Sequence, residues 1–312
     1  MNKLLPLIAF SVLFLVPVGA QQVFAAGVLY GVNQDGDVFT IDTTTGAATV
    51  VGNYFAQGSF AEIECPSNSI NCFLTTGGDA FVPNAKTIAP ITLSAVPTVG
   101  PPSPQFPFPV PALEYVGNIL YGADINGDLF IITNPTTAAT SPIGNMGFRA
   151  SGLAYDTVNG KMYVMDGISA DLYTVDLTDA TVTFIGNTQT GEVGSIEFGP
   201  DGKLYGGGNT CADSPPNLPF GGAGDIFTID TSTGVATRVG PTGLPPITLG
   251  SCRGEPSVSG LTLVTTTLIG GELLPIDNTA LLLASVQSFS WMIPVLLSAM
   301  GIGLFVASRK SK

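Results

Sequence analysis

Residues 151–187 decide the fold, and they read SGLAYDTVNGKMYVMDGISADLYTVDLTDATVTFIGN. Four short runs in this stretch alternate apolar with small or polar residues: Ser151–Tyr155, Lys161–Met165, Asp171–Asp176 and Thr181–Ile185. Turn-forming pairs such as Asn159-Gly160 separate the runs. Period-two alternation between turn signals is typical of antiparallel strands. The stretch is therefore predicted to form one four-stranded sheet.

The same pattern recurs along most of the chain. An aromatic residue marks the second strand of each unit, at spacings of 42 to 48 residues: Tyr30, Phe73, Tyr121, Tyr163 and Tyr205. A period of about 40 to 45 residues with four strands per unit is typical of a β-propeller. The prediction is an all-β, five-bladed β-propeller over residues 27–264, with six blades as the alternative.

The first unit lacks an innermost strand of its own. The other four units have one just before the aromatic strand: Ala61–Cys65, Ala112–Tyr115, Gly152–Tyr155 and Ser195–Phe198. A fifth candidate, Ser259–Leu263, follows the last outer strand. We expect this strand to complete the first blade, which would close the ring and leave no open sheet edge.

Two insertions interrupt the repeat, Val96–Val110 and Cys211–Gly224. The first is rich in proline, which lacks the donor that a central strand needs. Both are predicted to be loops on the propeller surface, where recognition is the alternative to simple decoration.

The two ends of the chain have the composition of targeting segments. Residues 1–20 have the order of a secretory signal peptide, with residue 26 as the alternative end. Near the C-terminus, Phe289–Ala307 is apolar and long enough to cross a membrane. A linker over residues 265–288 precedes this segment, and a basic tail over residues 308–312 follows it. We therefore expect a protein on the outer face of the membrane, crossing it once, with a cytoplasmic C-terminus.

Charge is distributed unevenly along the chain. All 23 acidic residues lie between Gly27 and Asp277, together with six of the ten basic residues. A surface this acidic repels nucleic acid, which excludes a nucleic-acid partner, and it attracts cations or basic partners. Simple solubility is the alternative explanation.

Four cysteines in an exported chain are expected to pair. Of the three possible pairings we favour Cys65 with Cys72 and Cys211 with Cys252, because these residues are close in the predicted fold. The first pair would close a small loop between two strands.

The strings Leu-Tyr-Gly, Phe-Thr-Ile-Asp and Val-Gly-Asn resemble the extracellular propeller repeats of the NHL and YVTN families, over about Gly27 to Val264. The tail from Leu274 to Ala284 and the apolar segment after it resemble the C-terminal anchors of exported archaeal and bacterial surface proteins. The resemblance implies a propeller displayed on the cell surface. It does not choose between the binding modules, lactonases and oxidoreductases that share such folds.

The chain contains no histidine. This excludes a Ser-His-Asp triad, a His-ligated zinc ion and a His-ligated haem. Propellers that resemble lactonases often pair a central metal with a histidine base, and the present sequence departs from that pattern.

One column of the repeat carries candidate metal ligands. When the innermost strands are aligned on their central apolar residue, one position holds Glu64, Glu114, Ala154, Glu197 and Thr262. Innermost strands line the propeller axis, so the three glutamates are predicted to converge there. Like charges at close range would raise their pKa values or recruit a cation, and oxygen-only ligands favour Ca²⁺. The alternative is that each glutamate accepts backbone hydrogen bonds between blades or faces a water-filled channel.

These observations favour a non-catalytic binding or envelope-structural module, with an extracellular protein or glycan as partner. The alternative is a metal-dependent hydrolase or an oxidoreductase that uses the channel carboxylates. An enzyme should show a substrate-sized pocket converging on the glutamates, whereas a binding module should show a plugged channel and exposed rim loops.

Overall fold

The computed structural model describes residues 27–54, 60–76, 86–94, 96–209, 222–248, 254–269 and 272–275. Regular structure in these residues consists of β-strands, arranged as five four-stranded antiparallel sheets and one two-stranded hairpin. The predicted five-bladed propeller is confirmed.

The blades follow one another along the chain. Blade one contains β1 (Val28–Val32), β2 (Asp37–Ile41), β3 (Ala48–Asn53) and β20 (Gly260–Val264). Blade two contains β4 (Phe60–Glu64), β5 (Asn71–Thr76), β6 (Ile88–Thr92) and β7 (Thr98–Val99). Blade three contains β8 (Ala112–Val116), β9 (Ile119–Ala123), β10 (Asp128–Asn134) and β11 (Ala139–Asn145).

The remaining strands form the last two blades and the hairpin. Blade four contains β12 (Ala150–Asp156), β13 (Lys161–Asp166), β14 (Asp171–Val175) and β15 (Val182–Asn187). Blade five contains β16 (Val193–Phe198), β17 (Leu204–Gly208), β18 (Asp225–Ile229) and β19 (Ala236–Pro241). The hairpin contains β21 (Thr266–Ile269) and β22 (Glu272–Pro275), so the segment expected to be a linker begins with strands.

The ring closes through β20, as the missing first inner strand predicted. β20 pairs antiparallel with β1, placing Val264 opposite Val28 and Gly260 opposite Val32. The five inner strands then contact one another in a closed circle, in the order β20, β4, β8, β12 and β16. Residues from both ends of the propeller therefore share one blade.

The core lies between neighbouring blades. The apolar residues used to align the inner strands are all at most 1% exposed: Ile63, Leu113, Leu153, Ile196 and Leu261. Packing at this column fixes the rotation of every inner strand, and so fixes where the next residue of each strand points.

The proline-rich insertion packs on the propeller. Phe106 and Val110 are buried in one cluster with Ile88 and Leu113, and the Thr75 hydroxyl donates a hydrogen bond to the Val110 carbonyl at 2.7 Å. Ser103 Oγ accepts a hydrogen bond from the Ile88 amide at 3.1 Å. The insertion therefore packs against residues of blades two and three.

Among the described residues no helix has the length and apolar character to span a membrane. The predicted signal peptide and the predicted spanning segment at 289–307 lie outside the described residues. Their assignment stays a prediction.

Candidate cation-binding site at the propeller axis

Three glutamates meet at the axis. Glu64 lies on β4, Glu114 on β8 and Glu197 on β16, and their side chains are 4%, 6% and 9% exposed, respectively. One carboxylate oxygen from each lies within 4.8 Å of the other two. The structure thus brings together the residues that the sequence alignment selected.

Each glutamate has one oxygen without a partner. Glu64 Oε1 accepts a hydrogen bond from the Tyr115 amide of the next blade at 3.4 Å. Oε2 of Glu64, Glu114 and Glu197 is buried and accepts no hydrogen bond from the described residues. Hydrogen bonds between blades therefore use only some of the carboxylate oxygens. Three oxygens remain available to a ligand.

The other two positions of the column carry no carboxylate. Ala154 contributes only a methyl group, and the Thr262 hydroxyl accepts a hydrogen bond from the Cys65 amide at 3.0 Å. The five positions of the column therefore hold three carboxyl groups, one hydroxyl group and one methyl group.

Burial raises the pKa of all three carboxyl groups. The pKa of Glu64 rises to about 8, although hydrogen bonds from Thr262, Tyr115 and Cys65 oppose the shift. The pKa values of Glu114 and Glu197 lie well above the ordinary range because of burial first, and then because of the charge of Glu64. The charge of Glu197 raises the pKa of Glu114 further. Three such acids cannot all be ionised together without a compensating positive charge.

The donor set fits a hard divalent cation. Two oxygens bound to one Ca²⁺ ion, each about 2.3–2.6 Å from it, are separated by no more than about 5 Å. The observed limit of 4.8 Å falls in this range. The three unpartnered atoms are all carboxylate oxygens, which favours Ca²⁺ over metals that prefer sulfur or imidazole.

The glutamates form the base of a cavity of about 320 Å³, here called the axial funnel. Its mouth is built by residues that follow the inner strands, among them Asn68, Thr157 and Thr265. Asn68 and Thr157 are exposed, so the cavity opens to solvent at this end. The cavity therefore leads from one face of the propeller towards the carboxylates, whose Oε2 atoms are themselves buried.

A fourth acid, Glu62, closes the axis on the other side. It lies two residues before Glu64 on β4, away from the mouth, and is 1% exposed. Glu62 Oε2 accepts a hydrogen bond from Ser195 Oγ of blade five at 2.8 Å. Oε1 accepts bonds from the amides of Leu261 in blade one, at 3.0 Å, and of Ile63, at 2.9 Å. Glu62 thus ties three blades together with both oxygens in use.

Sequence reasoning missed Glu62. Its column in the repeat otherwise holds only small residues: Ala112, Gly152, Ser195 and Gly260. A β-carbon on Gly260 would lie 2.7 Å from Glu62 Oε1, so the small residues leave the room that this side chain fills. A single large acidic residue in a column of small residues was the signal that could have shown that Glu62 fills the axis.

Blade two also carries the first predicted disulfide. Cys65 and Cys72 are bonded, and Cys65 directly follows Glu64. The bond closes the β4–β5 hairpin beside the site. Cys211 and Cys252 lie outside the described residues, so their pairing stays a prediction.

The geometry combines the two outcomes that the sequence left open. A pocket converges on the three glutamates, as expected for the enzymatic alternative. The axis is also plugged beneath them by Glu62, as expected for a binding module.

Comparison with known proteins gives one sequence relative. The chain is 28% identical over 255 residues to cellulose-binding protein A of Clostridium cellulovorans. The match covers 76% of this chain but 13% of that protein, so the chain spans only a small part of its relative's length. The chain matches no protein-family profile.

Solved structures share the general architecture at low similarity. A chain of a nidogen–laminin complex is 11% identical with a TM-score of 0.47, covering 77% of this chain and 98% of its own. A protein of unknown function from Bacteroides caccae is 7% identical with a TM-score of 0.43, covering 76% and 98%. Neither resemblance bears on function. The propeller fold itself, with a weakly similar cellulose-binding protein, fits a binding or structural module.

Proposed function

We propose that this protein is a non-catalytic binding module displayed on the cell surface, and that its binding site contains a divalent cation held by Glu64, Glu114 and Glu197. The observation that carries the proposal is the set of three buried, unpartnered carboxylate oxygens at the base of the axial funnel. Leaving such groups without a partner is costly. A Ca²⁺ ion supplies all three with a partner and offsets their mutual repulsion.

Two further observations support binding and display. The weakly similar cellulose-binding protein A is named for binding cellulose, which is consistent with recognition of an extracellular glycan. The apolar ends at residues 1–20 and 289–307 have the composition of an export signal and a membrane anchor. Protease treatment of intact cells should therefore remove the propeller, whereas a protein that stays protected in intact cells would contradict surface display.

Calorimetric titration of the full chain with Ca²⁺ tests the cation site. The protein should be purified in detergent because its ends are apolar. The wild type is expected to bind one ion, and a variant carrying Glu64→Gln, Glu114→Gln and Glu197→Gln is expected to bind none. Glu192→Gln is the matched control, because Glu192 is half-buried beside Arg149 and does not line the funnel. Equal binding by the wild type and the triple variant would refute the site.

A metal-dependent hydrolase is the second candidate. The pocket ends on three carboxyl groups that suit a divalent cation, and such an ion would activate a water molecule for hydrolysis. Under this alternative, a panel of lactones and esters should include a substrate whose hydrolysis requires Ca²⁺ and is lost in Glu114→Gln. Turnover of that kind would replace the non-catalytic assignment.

A further inference from the structure

Three aromatic residues contribute to the lining of the axial funnel. In blades three, four and five the residue after the glutamate column is Tyr115, Tyr155 or Phe198, and all three line the cavity. Each is half-buried and packs against a separate core cluster. Tyr163 also contacts Phe198 edge-on, with ring centroids 5.8 Å apart. The positions of these three residues are therefore fixed by packing before any ligand arrives.

The mouth of the funnel is polar and mostly uncharged. Ser67, Asn68, Thr157 and Thr265 supply hydroxyl and amide groups. The backbone amide of Asn68 donates a hydrogen bond to Thr265 Oγ1 at 2.9 Å, which joins blade two to the segment after β20. Asp156 also lines the mouth, but its carboxylate accepts hydrogen bonds from the Val158 and Asn159 amides and the Asn159 side chain. None of the described lining residues is a lysine or an arginine.

Charge at the base selects against an anionic ligand. Three ionised glutamates around one divalent ion leave the centre with a net negative charge, and the lining residues that the structure describes include no basic side chain. An approaching anion would meet repulsion with no compensating contact. Neutral oxygen ligands carry no such penalty.

The ion would also keep open positions on the funnel side. Ca²⁺ takes six to eight oxygen ligands, as a general rule, and three carboxylates that bind through one oxygen each supply three. Glu62 and the small residues of its column close the opposite side. The remaining ligands must therefore come from the funnel, either as water or as hydroxyl groups of a bound molecule.

From these features we infer that the axial funnel binds an uncharged sugar residue, whose hydroxyl groups complete the coordination of the ion. This inference rests on the proposed cation site. A sugar ring offers hydroxyl groups that suit both the ion and the polar mouth, and an apolar C–H face that suits the aromatic residues of the lining. The cavity of about 320 Å³ lies at the small end of the range for ligand pockets, which favours one ring over a long oligosaccharide.

Saturation-transfer NMR on the full chain tests this inference. The probes are glucose, galactose, mannose and N-acetylglucosamine, each measured with Ca²⁺ and again after addition of EDTA, with glucuronic acid as the charged comparison. At least one neutral sugar is expected to bind in Ca²⁺ and to be released by EDTA. Tyr155→Leu, which keeps an apolar side chain but removes the ring, should weaken sugar binding at least about fivefold while calorimetry shows Ca²⁺ binding retained. Tyr173→Leu is the matched control, because Tyr173 is a half-buried tyrosine outside the funnel.

The outcomes separate the two claims. Absence of Ca²⁺ binding in the wild type would refute the cation site itself. If Ca²⁺ binds, the sugar inference is overturned by any of three results: no neutral sugar in the panel binds, glucuronic acid binds more tightly than glucose, or sugar binding survives both EDTA and Tyr155→Leu.

Discussion

At the scale of single residues, two kinds of buried acid lie at the axis. Glu62 has hydrogen-bond donors on both of its oxygens, so its position is explained by structure alone. Glu64, Glu114 and Glu197 each keep one buried oxygen that receives no hydrogen bond from the part of the chain that the structure describes. A buried acid in that state must hold a proton or a cation. The difference separates a structural carboxylate from three that are available to a ligand.

Replacing Glu114 should have opposite effects on stability and on binding. Burial, and then the charges of Glu64 and Glu197, raise the pKa of Glu114, so folding at pH 8 requires this acid to be protonated or to keep a buried charge. Glu114→Gln removes that cost from the apo protein. We expect a higher free energy of unfolding at pH 8 without Ca²⁺ and a Ca²⁺ affinity at least about tenfold weaker, the equivalent of about 1.4 kcal/mol. Denaturant unfolding and calorimetry measure the two effects, with Glu192→Gln as the control. Loss of apo stability together with unchanged affinity would contradict the account.

The register of the repeat placed three glutamates at equivalent positions, and the structure brings these residues together. The aligned apolar column fixed the positions of Glu64, Glu114 and Glu197, because alternation in a strand leaves little freedom once one face is buried. Glu62 was not predicted, since its role depends on contacts with Ser195 and Leu261 across the ring. Contacts of that kind have no signature in the local sequence.

At the scale of the strand, the blades share a side-chain clamp. An asparagine at the end of the outer strand donates one hydrogen bond to an aspartate that begins the neighbouring strand, at 2.6 Å in each of three blades: Asn53 to Asp37, Asn145 to Asp128 and Asn187 to Asp171. The same amide also bonds a carbonyl in the preceding hairpin. These bonds join the outer strand to the turn between the second and third strands of the blade.

Blade five replaces the clamp with an ion pair. Pro241 stands in the register position of the asparagine, opposite Asp225, and cannot donate a side-chain hydrogen bond. Arg238 from the same outer strand bonds both oxygens of Asp225, at 2.7 and 2.8 Å. The aspartate at the start of this strand thus has a side-chain partner in all four blades, either an asparagine or an arginine.

Removal of one clamp should cost a modest, local amount of stability. Asn187→Ala deletes three side-chain hydrogen bonds, which join Asn187 to the Asp171 carboxylate, the Ser169 carbonyl and the Gln189 amide. It should lower the free energy of unfolding by about 1–2 kcal/mol. Asn118→Ala in the exposed β8–β9 turn is the control and should change it by less than about 0.5 kcal/mol. Equal effects of the two substitutions in denaturant unfolding would show that the clamp contributes nothing.

Strand prediction was accurate where alternation was regular and weak where proline intervened. The strands of blade four were predicted within a few residues of β12 to β15. Blade two has Pro90 within β6 and only two residues in β7, so its outer half carries little pattern. The packing of Phe106 from the insertion against blade three was not predicted, because an aromatic residue in a proline-rich loop has no periodicity to place it.

At the scale of the whole molecule, ring closure determines the site. β20 joins β1 and packs against β4 and β16, so the five inner strands surround one axis. Closure brings acids from blades two, three and five within 4.8 Å of one another, although more than 130 residues separate Glu64 from Glu197. The sequence predicted this closure from a strand missing at the start and an extra one near the end. It could not predict how narrow the axis becomes around Glu62.

Stability should depend on pH in a direction that the raised pKa values determine. The pKa of a glutamate in the unfolded chain is about 4.3. In the folded protein, burial raises the pKa of Glu64 to about 8. The folded state therefore keeps protons that the unfolded state releases, so this contribution to stability is complete below about pH 4.3 and is lost as the pH rises to about 8. Glu114 and Glu197 shift in the same direction.

Thermal unfolding of the apo protein between pH 4.5 and pH 8.5 measures this dependence. The melting temperature should fall as the pH rises, and Ca²⁺ should restore most of the loss at the alkaline end. The triple glutamine variant should show a flatter profile and no response to Ca²⁺. A melting temperature that rises with pH in the apo wild type would contradict the assigned pKa directions.

The most direct test of the central claim is a crystal structure of the full chain grown in Ca²⁺ and refined with anomalous data. We expect one Ca²⁺ ion at the base of the axial funnel, bound by an oxygen from each of Glu64, Glu114 and Glu197, with its other ligands facing the mouth. Three carboxyl groups that instead share protons with one another or bond only to water, in crystals containing Ca²⁺, would contradict it.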